Sequence, residues 1–179
     1  IRLEGTRICA QAGASLAKIA AEALKNSLTG FEFAAGIPGT LGGACIMNAG
    51  AYGGEMKDVL ESVTVLDGQG DIRVLPREEL DMGYRTSRAA REGYIVLEAV
   101  IALEPGDESK IREKLEELKE RRTSKQPLEY PSAGSTFKRP GGYLAGELIQ
   151  DAGLRGLRVG DAMVSEKHCG FVINCGSAT

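Results

Sequence analysis

The residues best suited to chemistry begin with a glycine-rich stretch, Gly36 to Gly54, which carries seven glycines in nineteen residues. Glycine reaches backbone conformations closed to other residues and lets a bulky ligand approach the chain, while Pro38 stiffens the turn at its start. The stretch reads as a cofactor loop rather than a core element. The alternative is a set of tight turns between small packed elements. It is not a P-loop, because no Gly-Lys-Ser/Thr follows the glycines, and the spacing Gly36-x-x-Gly39-x-x-Gly42 is not that of a dinucleotide-binding fingerprint. Other candidates stand singly. Arg85 offers a permanent cation that can grip a carboxylate, although a solvated charge is the plainer reading. His168 is the only imidazole, ordinarily a packed or solvent-facing side chain. Lys125 follows a charged run and precedes Pro127, so its place is fixed where the chain turns.

The elements that must position these groups follow from the pattern. Arg7 to Ala12 is a short apolar strand, and Leu16, Ile19, Ala20, Ala23 and Leu24 recur at helical spacing behind Ser15 as cap. That helix ends near Ser27 to Gly30 and leads into the glycine-rich stretch. Leu41 to Met47 is apolar enough for a short helix, with Thr40 as cap or ligand donor and unpaired amides at its amino end. Val59 to Leu66 and Ile72 to Leu75, joined by Asp67-Gly68-Gln69-Gly70, predict an antiparallel hairpin. Pro76 to Leu80 predicts one helical turn and Tyr94 to Leu103 a strand. The composition breaks at Glu104-Pro105-Gly106-Asp107, taken as the boundary between a domain over residues 1–104 and one over 105–179. Beyond it, Glu108 to Lys125 predicts a solvated helix with Ile111, Leu115 and Leu118 on one face. Tyr143 to Ala152 predicts a helix with Leu144, Leu148 and Ile149 buried and Gly153 as its stop. Phe171 to Asn174 predicts a strand.

Bulk properties narrow the classes. The 179 residues are 42% hydrophobic and 26% charged, ordinary for a globular chain, and the net charge of −3 offers no field for nucleic acid. No apolar run approaches the roughly 20 residues of a membrane span, and no signal pattern opens the chain, so a cytoplasmic location is expected. The four cysteines form no Cys-x-x-Cys pair and only one histidine is present, so no metal site and four reduced thiols are expected. Both ends look abrupt, and a fragment of a longer protein is expected.

Four motifs coincide: Ala35-Gly36-Ile37-Pro38-Gly39-Thr40-Leu41-Gly42-Gly43-Ala44, Asn48-Ala49-Gly50-Ala51-Tyr52-Gly53, Gly83-Tyr84-Arg85-Thr86-Ser87 and Ala133-Gly134-Ser135-Thr136-Phe137-Lys138. With them the chain resembles the UDP-N-acetylenolpyruvoylglucosamine reductase family. Leu148 to Leu154 and Val164 to His168 extend the likeness over essentially the whole chain. The resemblance implies an α+β chain in which the second half of a vanillyl-alcohol-oxidase-type FAD-binding domain precedes a smaller α+β substrate-binding domain. It implies FAD as cofactor and NADPH as hydride donor. The substrate would be a UDP-sugar enolpyruvyl ether, reduced to UDP-N-acetylmuramate in peptidoglycan precursor synthesis by a monomer. The chain looks like the shorter family type. The family's first flavin lobe and its closing segment with a catalytic glutamate lie outside it, so inactivity of the 179 residues alone is expected, or retention of no more than a sugar-nucleotide site.

Carried over residue by residue, Gly36, Ile37, Pro38, Gly39, Thr40 and Gly43 would line the flavin, with Asn48 and Tyr52 close behind. Tyr52, Tyr84, Lys125, Lys138 and His168 would face substrate, and Arg85 and Ser135 would be catalytic. The chemistry asks for both. A hydride delivered to the enolpyruvyl carbon distal to the ether oxygen develops an enolate of the carboxylate, which a fixed guanidinium stabilises. The neighbouring carbon then takes a proton, here from Ser135 with a relay or nearby cations to assist. A rival is a serine hydrolase on Ser135, His168 and Asp151 or Asp161, but the flanks of Ser135 lack a Gly-x-Ser-x-Gly elbow.

Overall fold

A computed structural model describes residues 1–179. The chain divides into two units, Ile1–Lys119 and Glu120–Thr179.

The first unit is built on alternation. Strands β1 (Arg2–Glu4), β2 (Arg7–Gln11), β6 (Leu60–Leu66), β7 (Ile72–Pro76) and β8 (Ile95–Ala102) form one antiparallel sheet in the order β1-β2-β8-β6-β7. Successive side chains of a strand point to opposite faces, so Ile8 and Ala10, Val63 and Val65, Leu75, and Ala99 and Ile101 gather on one buried face. Register shifts between Leu60 and Ser62 and between Thr64 and Val65 let β6 follow β8 while keeping that set inward. The predicted hairpin is present. Asp67 closes it by accepting the Gln69 and Asp71 N–H groups on Oδ1 at 3.0 Å each.

Helix α1 (Leu16–Lys25) starts where Ser15 Oγ accepts the Lys18 N–H at 3.3 Å, and it lays Leu16, Ile19, Ala20 and Ala23 into the same core. Its exit strand β3 (Leu28–Thr29) pairs with β9 (Glu104–Pro105), which ties the Glu104 to Asp107 break to the first unit. A 3-10 turn, Glu32–Ala34, delivers the chain to the glycine-rich stretch. There helix α2 (Leu41–Met47) forms as predicted, but with Leu41, Gly42, Ala44 and Cys45 buried. The middle of the stretch, Leu41 to Cys45, is therefore a core element apart from the exposed Gly43, a correction to its reading as a loop outside the core. The cause is apolar spacing: Leu41, Ala44 and Cys45 share one face of a helix that packs on β8. Short pieces follow: β4 (Gly50–Ala51) paired with β5 (Gly54–Glu55), helix α3 (Met56–Val59) and helix α4 (Arg88–Arg91). Helix α5 (Glu108–Lys125) buries Ile111 and Leu118, and Leu115 is half-buried. The division into units falls within this helix, not at the composition break.

The second unit holds a four-stranded antiparallel sheet in the order β10-β13-β12-β11, from β10 (Ser132–Ser135), β11 (Arg158–Val159), β12 (Ala162–Val164) and β13 (Phe171–Asn174). Cys169, Phe171 and Ile173 are its buried apolar residues, with Pro127. Helix α6 (Ala145–Asp151) is shorter than expected and buries none of its residues. Leu144 and Leu148 are exposed and Ile149 half-buried, so the predicted buried stripe does not form within this unit. No helix of the chain is long and apolar enough to cross a membrane.

A paired substitution tests how α2 is seated. A Cβ on Gly42 would lie 2.8 Å from the Ala12 Cβ, whereas one on Gly39 would meet nothing within 4 Å. Gly42→Ala is expected to lower stability by about 1–3 kcal/mol through overpacking. Gly39→Ala is expected to leave it nearly unchanged, with both read from urea denaturation.

Candidate functional site

In the glycine-rich stretch the structure separates open backbone from spent backbone. The Leu41 N–H donates to Ala14 O at 2.8 Å, the Gly42 N–H to Ala12 O at 2.9 Å and the Ile37 N–H to Ala34 O at 3.0 Å. The N–H groups of Gly36, Gly39, Thr40 and Gly43 take no backbone acceptor, and these four residues and Pro38 are exposed. Thr40 occupies the N-cap position of α2 in an extended conformation, but its side chain makes no capping bond. Ile37 is half-buried and packs against the core, so its side chain anchors the loop. Cys45, one helical turn in, is no nucleophile: burial pushes its thiol up to about 12.

The far end of α2 organises a polar cluster. Asn48 closes the helix in the left-handed region at φ 41°, and its side chain is fully buried. Its carboxamide nitrogen donates to Glu55 Oε2 at 2.7 Å and to Gly83 O at 3.1 Å, and its oxygen accepts the Lys57 N–H at 2.9 Å. All of these bonds are internal, so the Asn48 side chain holds the fold together here. Gly83 and Thr86 exchange N–H to carbonyl bonds at 3.1 and 3.3 Å across a two-residue turn, Tyr84-Arg85. Arg85 sits at φ 54°, at a turn position usually given to glycine or asparagine. Its side chain is half-buried, donating to Gly50 O at 3.0 Å and Asn48 O at 3.5 Å, with its guanidinium 5.1 Å from the centre of the exposed Tyr84 ring. Arg85 is therefore not a freely solvated charge. Tyr52, also at positive φ (54°), heads the β4–β5 hairpin with Gly53 and is exposed.

Two participants lacked a strong sequence signal. Ser87 is fully buried; its hydroxyl donates to Ile46 O at 2.8 Å and accepts the Ala90 N–H at 3.1 Å, capping α4. Its place before Arg88-Ala89-Ala90-Arg91 is an N-cap pattern that could have been read. Glu55 offers less: it caps α3 in a reciprocal box with Asp58, and only the fold reveals its bond to Asn48.

The second unit carries the remaining candidates. Ser135 ends β10 opposite Phe171 and is exposed, as are Lys125, the last residue of α5, and Lys138. His168 lies in the turn before β13, half-buried, with its ring edge-to-face on Phe171 at 4.9 Å. Its Nδ1 accepts the Gly170 N–H at 3.1 Å, and the neighbouring Thr136 N–H donates to Gly170 O at 2.9 Å. A hydrolase triad needs a carboxylate accepting from that Nδ1. Asp161 instead accepts from the Ser177 N–H and Arg158, which hold its carboxyl below the usual carboxylate range. No hydrolase follows from this arrangement.

Comparison with known proteins gives a consistent likeness. Residues 1–75 match a family model described as an FAD binding domain, and residues 126–179 match the C-terminal domain of UDP-N-acetylenolpyruvoylglucosamine reductase. A UDP-N-acetylenolpyruvoylglucosamine reductase of Caldanaerobacter subterraneus subsp. tengcongensis is 61% identical over 99% of this chain and 59% of its own length. One of Lachnoclostridium phytofermentans is 60% identical over 98% of this chain and 57% of its own length. The crystal structure of UDP-N-acetylenolpyruvylglucosamine reductase from Thermus caldophilus superposes with a TM-score of 0.88 at 40% identity, covering 98% of this chain and 65% of that one. The chain thus spans less than two thirds of the length of these relatives.

Two measurements probe the cluster. Ser87→Ala leaves the Ile46 carbonyl and the first turn of α4 without their partner, and is expected to cost about 1–2 kcal/mol in chemical denaturation. For Cys45 the folded thiol is raised from 9.0 to about 12, so stability present below about pH 9 is lost as pH rises towards 12. Cys45 is expected to resist iodoacetamide in the native protein at pH 8 and to react on unfolding, as read by mass spectrometry of its peptide.

Proposed function

The chain belongs to the UDP-N-acetylenolpyruvoylglucosamine reductase family, and from that membership we propose that the protein containing it reduces UDP-N-acetylglucosamine enolpyruvate to UDP-N-acetylmuramate for peptidoglycan synthesis. NADPH is the proposed reductant and FAD the cofactor. The reading keeps the cytoplasmic monomer expected from the sequence. The turnover proposed is that of a protein of the relatives' length, of which this chain spans 57–59% in the two curated relatives above.

The residues present suit a flavin dinucleotide. The unpartnered N–H groups of Gly36, Gly39, Thr40 and Gly43 can donate to phosphate or flavin oxygens, and a Cβ on Gly43 would meet only the Thr40 Oγ1, at 4.0 Å. Gly36 to Thr40 with Gly43 would hold FAD, which when bound supplies a hydride to the enolpyruvyl carbon distal to the ether oxygen. Everything else is asked of the side chains. Arg85 would bind the substrate carboxylate and hold the negative charge that develops there. Ser135 would give a proton to the carbon bearing the ether oxygen, completing addition of two hydrogens across the double bond. Tyr52, Tyr84, Lys125, Lys138 and His168 are proposed to bind the UDP-sugar, with Lys125 at its diphosphate.

The observation that carries this reading is the seating of Arg85. Two of its five N–H groups go to backbone carbonyls, which fixes the plane of the guanidinium and leaves three donors for a carboxylate. The ion needs no reorientation as charge develops, the condition under which such a group lowers a barrier.

Arg85→Ala and Arg85→Lys are expected to lower kcat by about 10²–10³, the scale of losing one preorganised donor group, while bound flavin stays stoichiometric. Ser135→Ala is expected to slow substrate reduction while leaving reduction of the flavin by NADPH intact, as separated by stopped-flow absorbance. Variants at Arg85 that turn over at the parent rate would overturn the proposal.

A further inference from the structure

We infer that Asn48 is a positioning residue for Arg85: its side chain clamps the turn that carries the arginine, and its own carbonyl receives the guanidinium. The two halves of the clamp form a closed circuit. From Asn48 Nδ2 a bond runs to Gly83 O, at the start of the Tyr84-Arg85 turn. Gly83 O also accepts the Thr86 N–H, so one carbonyl joins the turn closure to Asn48. From the turn the Arg85 side chain runs back to Asn48 O and Gly50 O. Asn48 is itself locked by Glu55 Oε2 and by the Lys57 N–H, so it has no alternative partners to turn to.

The choice of residue follows from the geometry. At φ 41° the backbone favours asparagine or glycine, and the site needs one donor group that serves two acceptors together with one acceptor. Aspartate would fit the backbone but would set a carboxylate against Glu55 and the Gly83 carbonyl. Glycine would fit the backbone and keep the carbonyl that receives Arg85, but would supply none of the side-chain bonds. Part of Arg85's orientation is therefore paid in conformational freedom at Asn48, Tyr52 and Arg85, all of which hold positive φ within this cluster.

The catalytic consequence rests on the role proposed for Arg85, whereas the clamp itself does not, so the test reads the two separately. Asn48→Gly keeps the main-chain carbonyl and removes the side chain with its three hydrogen bonds. In the whole flavin-loaded protein without substrate, phenylglyoxal labelling of Arg85, followed by peptide mass mapping, is expected to quicken about tenfold, the factor of a lost hydrogen bond near the top of its usual range. Labelling of the exposed Arg2 and Arg7 is expected to stay unchanged. The double variant Asn48→Asp with Glu55→Gln restores a bond between residues 48 and 55 but not the one to Gly83 O, so Arg85 is expected to remain fast. Turnover of Asn48→Gly is expected to fall about 10- to 100-fold, mostly in kcat, as misplacement of a catalytic group does. The clamp is overturned if Arg85 labels at the parent rate in Asn48→Gly, if all arginines quicken together, or if the double variant restores protection. Faster labelling with unchanged turnover supports the clamp and removes Arg85 from the proposed chemistry.

Discussion

Two backbone hydrogen bonds, from Leu41 N–H to Ala14 O and from Gly42 N–H to Ala12 O, fix where α2 begins, and the first unit is arranged around that seat. They dock the helix start on the chain between β2 and α1, where the approach is so close that Gly42 has no room for a Cβ. The consequence is directional. Residues just before the seat, Gly36 to Thr40, stay at the surface with amides to spare, while Leu41, Ala44 and Cys45 are drawn into the core. At the other end the helix places the Ile46 and Asn48 carbonyls where Ser87 and Arg85 find them. A helix of seven residues has little stability of its own. Its ends are therefore defined by tertiary contacts, and the same contacts build the candidate site.

The cluster beside that helix carries a cost. Asn48, Tyr52 and Arg85 each hold a conformation that L-residues avoid, at about 1–3 kcal/mol apiece for strained backbone, with asparagine at the low end. Hydrogen bonds to a fully buried amide, the reciprocal cap of α3 and the buried Ser87 hydroxyl over-determine the arrangement. Burial beneath it offsets the rest: Leu41, Met56 and Leu60 are essentially inaccessible, and each full burial is worth roughly 1.5–3 kcal/mol. Surface ion pairs add little by comparison. Arg112 with Glu108 and Lys114 with Glu117 lie on an exposed helix face where such pairs give tenths of a kcal/mol.

How much of this was legible in the sequence depended on whether the signal was local. The α1 cap at Ser15, the hairpin at Asp67 to Gly70 and the strand ending at Ala102 follow from neighbouring residues, and each appears where the pattern puts it. The sheet of the second unit was mostly illegible, because β10, β11 and β12 span four residues or fewer and have no sustained alternation. Apolar spacing misled at α6, since a periodic stripe says which face is greasy and not whether this unit covers it. The glycine-rich stretch keeps open backbone only from Gly36 to Thr40 and at Gly43, and the buried face of α2 was legible in the spacing of Leu41, Ala44 and Cys45. The partners of Arg85 were hidden for a different reason: carbonyl groups belong to every residue, so no pattern of side chains marks Asn48 O and Gly50 O as acceptors.

Arg85 shows how the two kinds of constraint meet. A tight turn with positive φ at its third position favours glycine by sterics, while the carboxylate binding proposed for this residue requires a guanidinium in a fixed plane. Glycine there would relax the turn and remove the charge. Lysine would keep the charge but could not hold two carbonyls in one plane and leave donors aimed at the proposed carboxylate, since an ammonium presents its protons tetrahedrally. Arginine resolves the conflict only because the turn is held from outside, by the bond from Asn48 to Gly83 O, and because the side chain recovers part of the strain through Gly50 O. The unfavourable backbone and the oriented cation are thus one arrangement, and relieving the first would loosen the second.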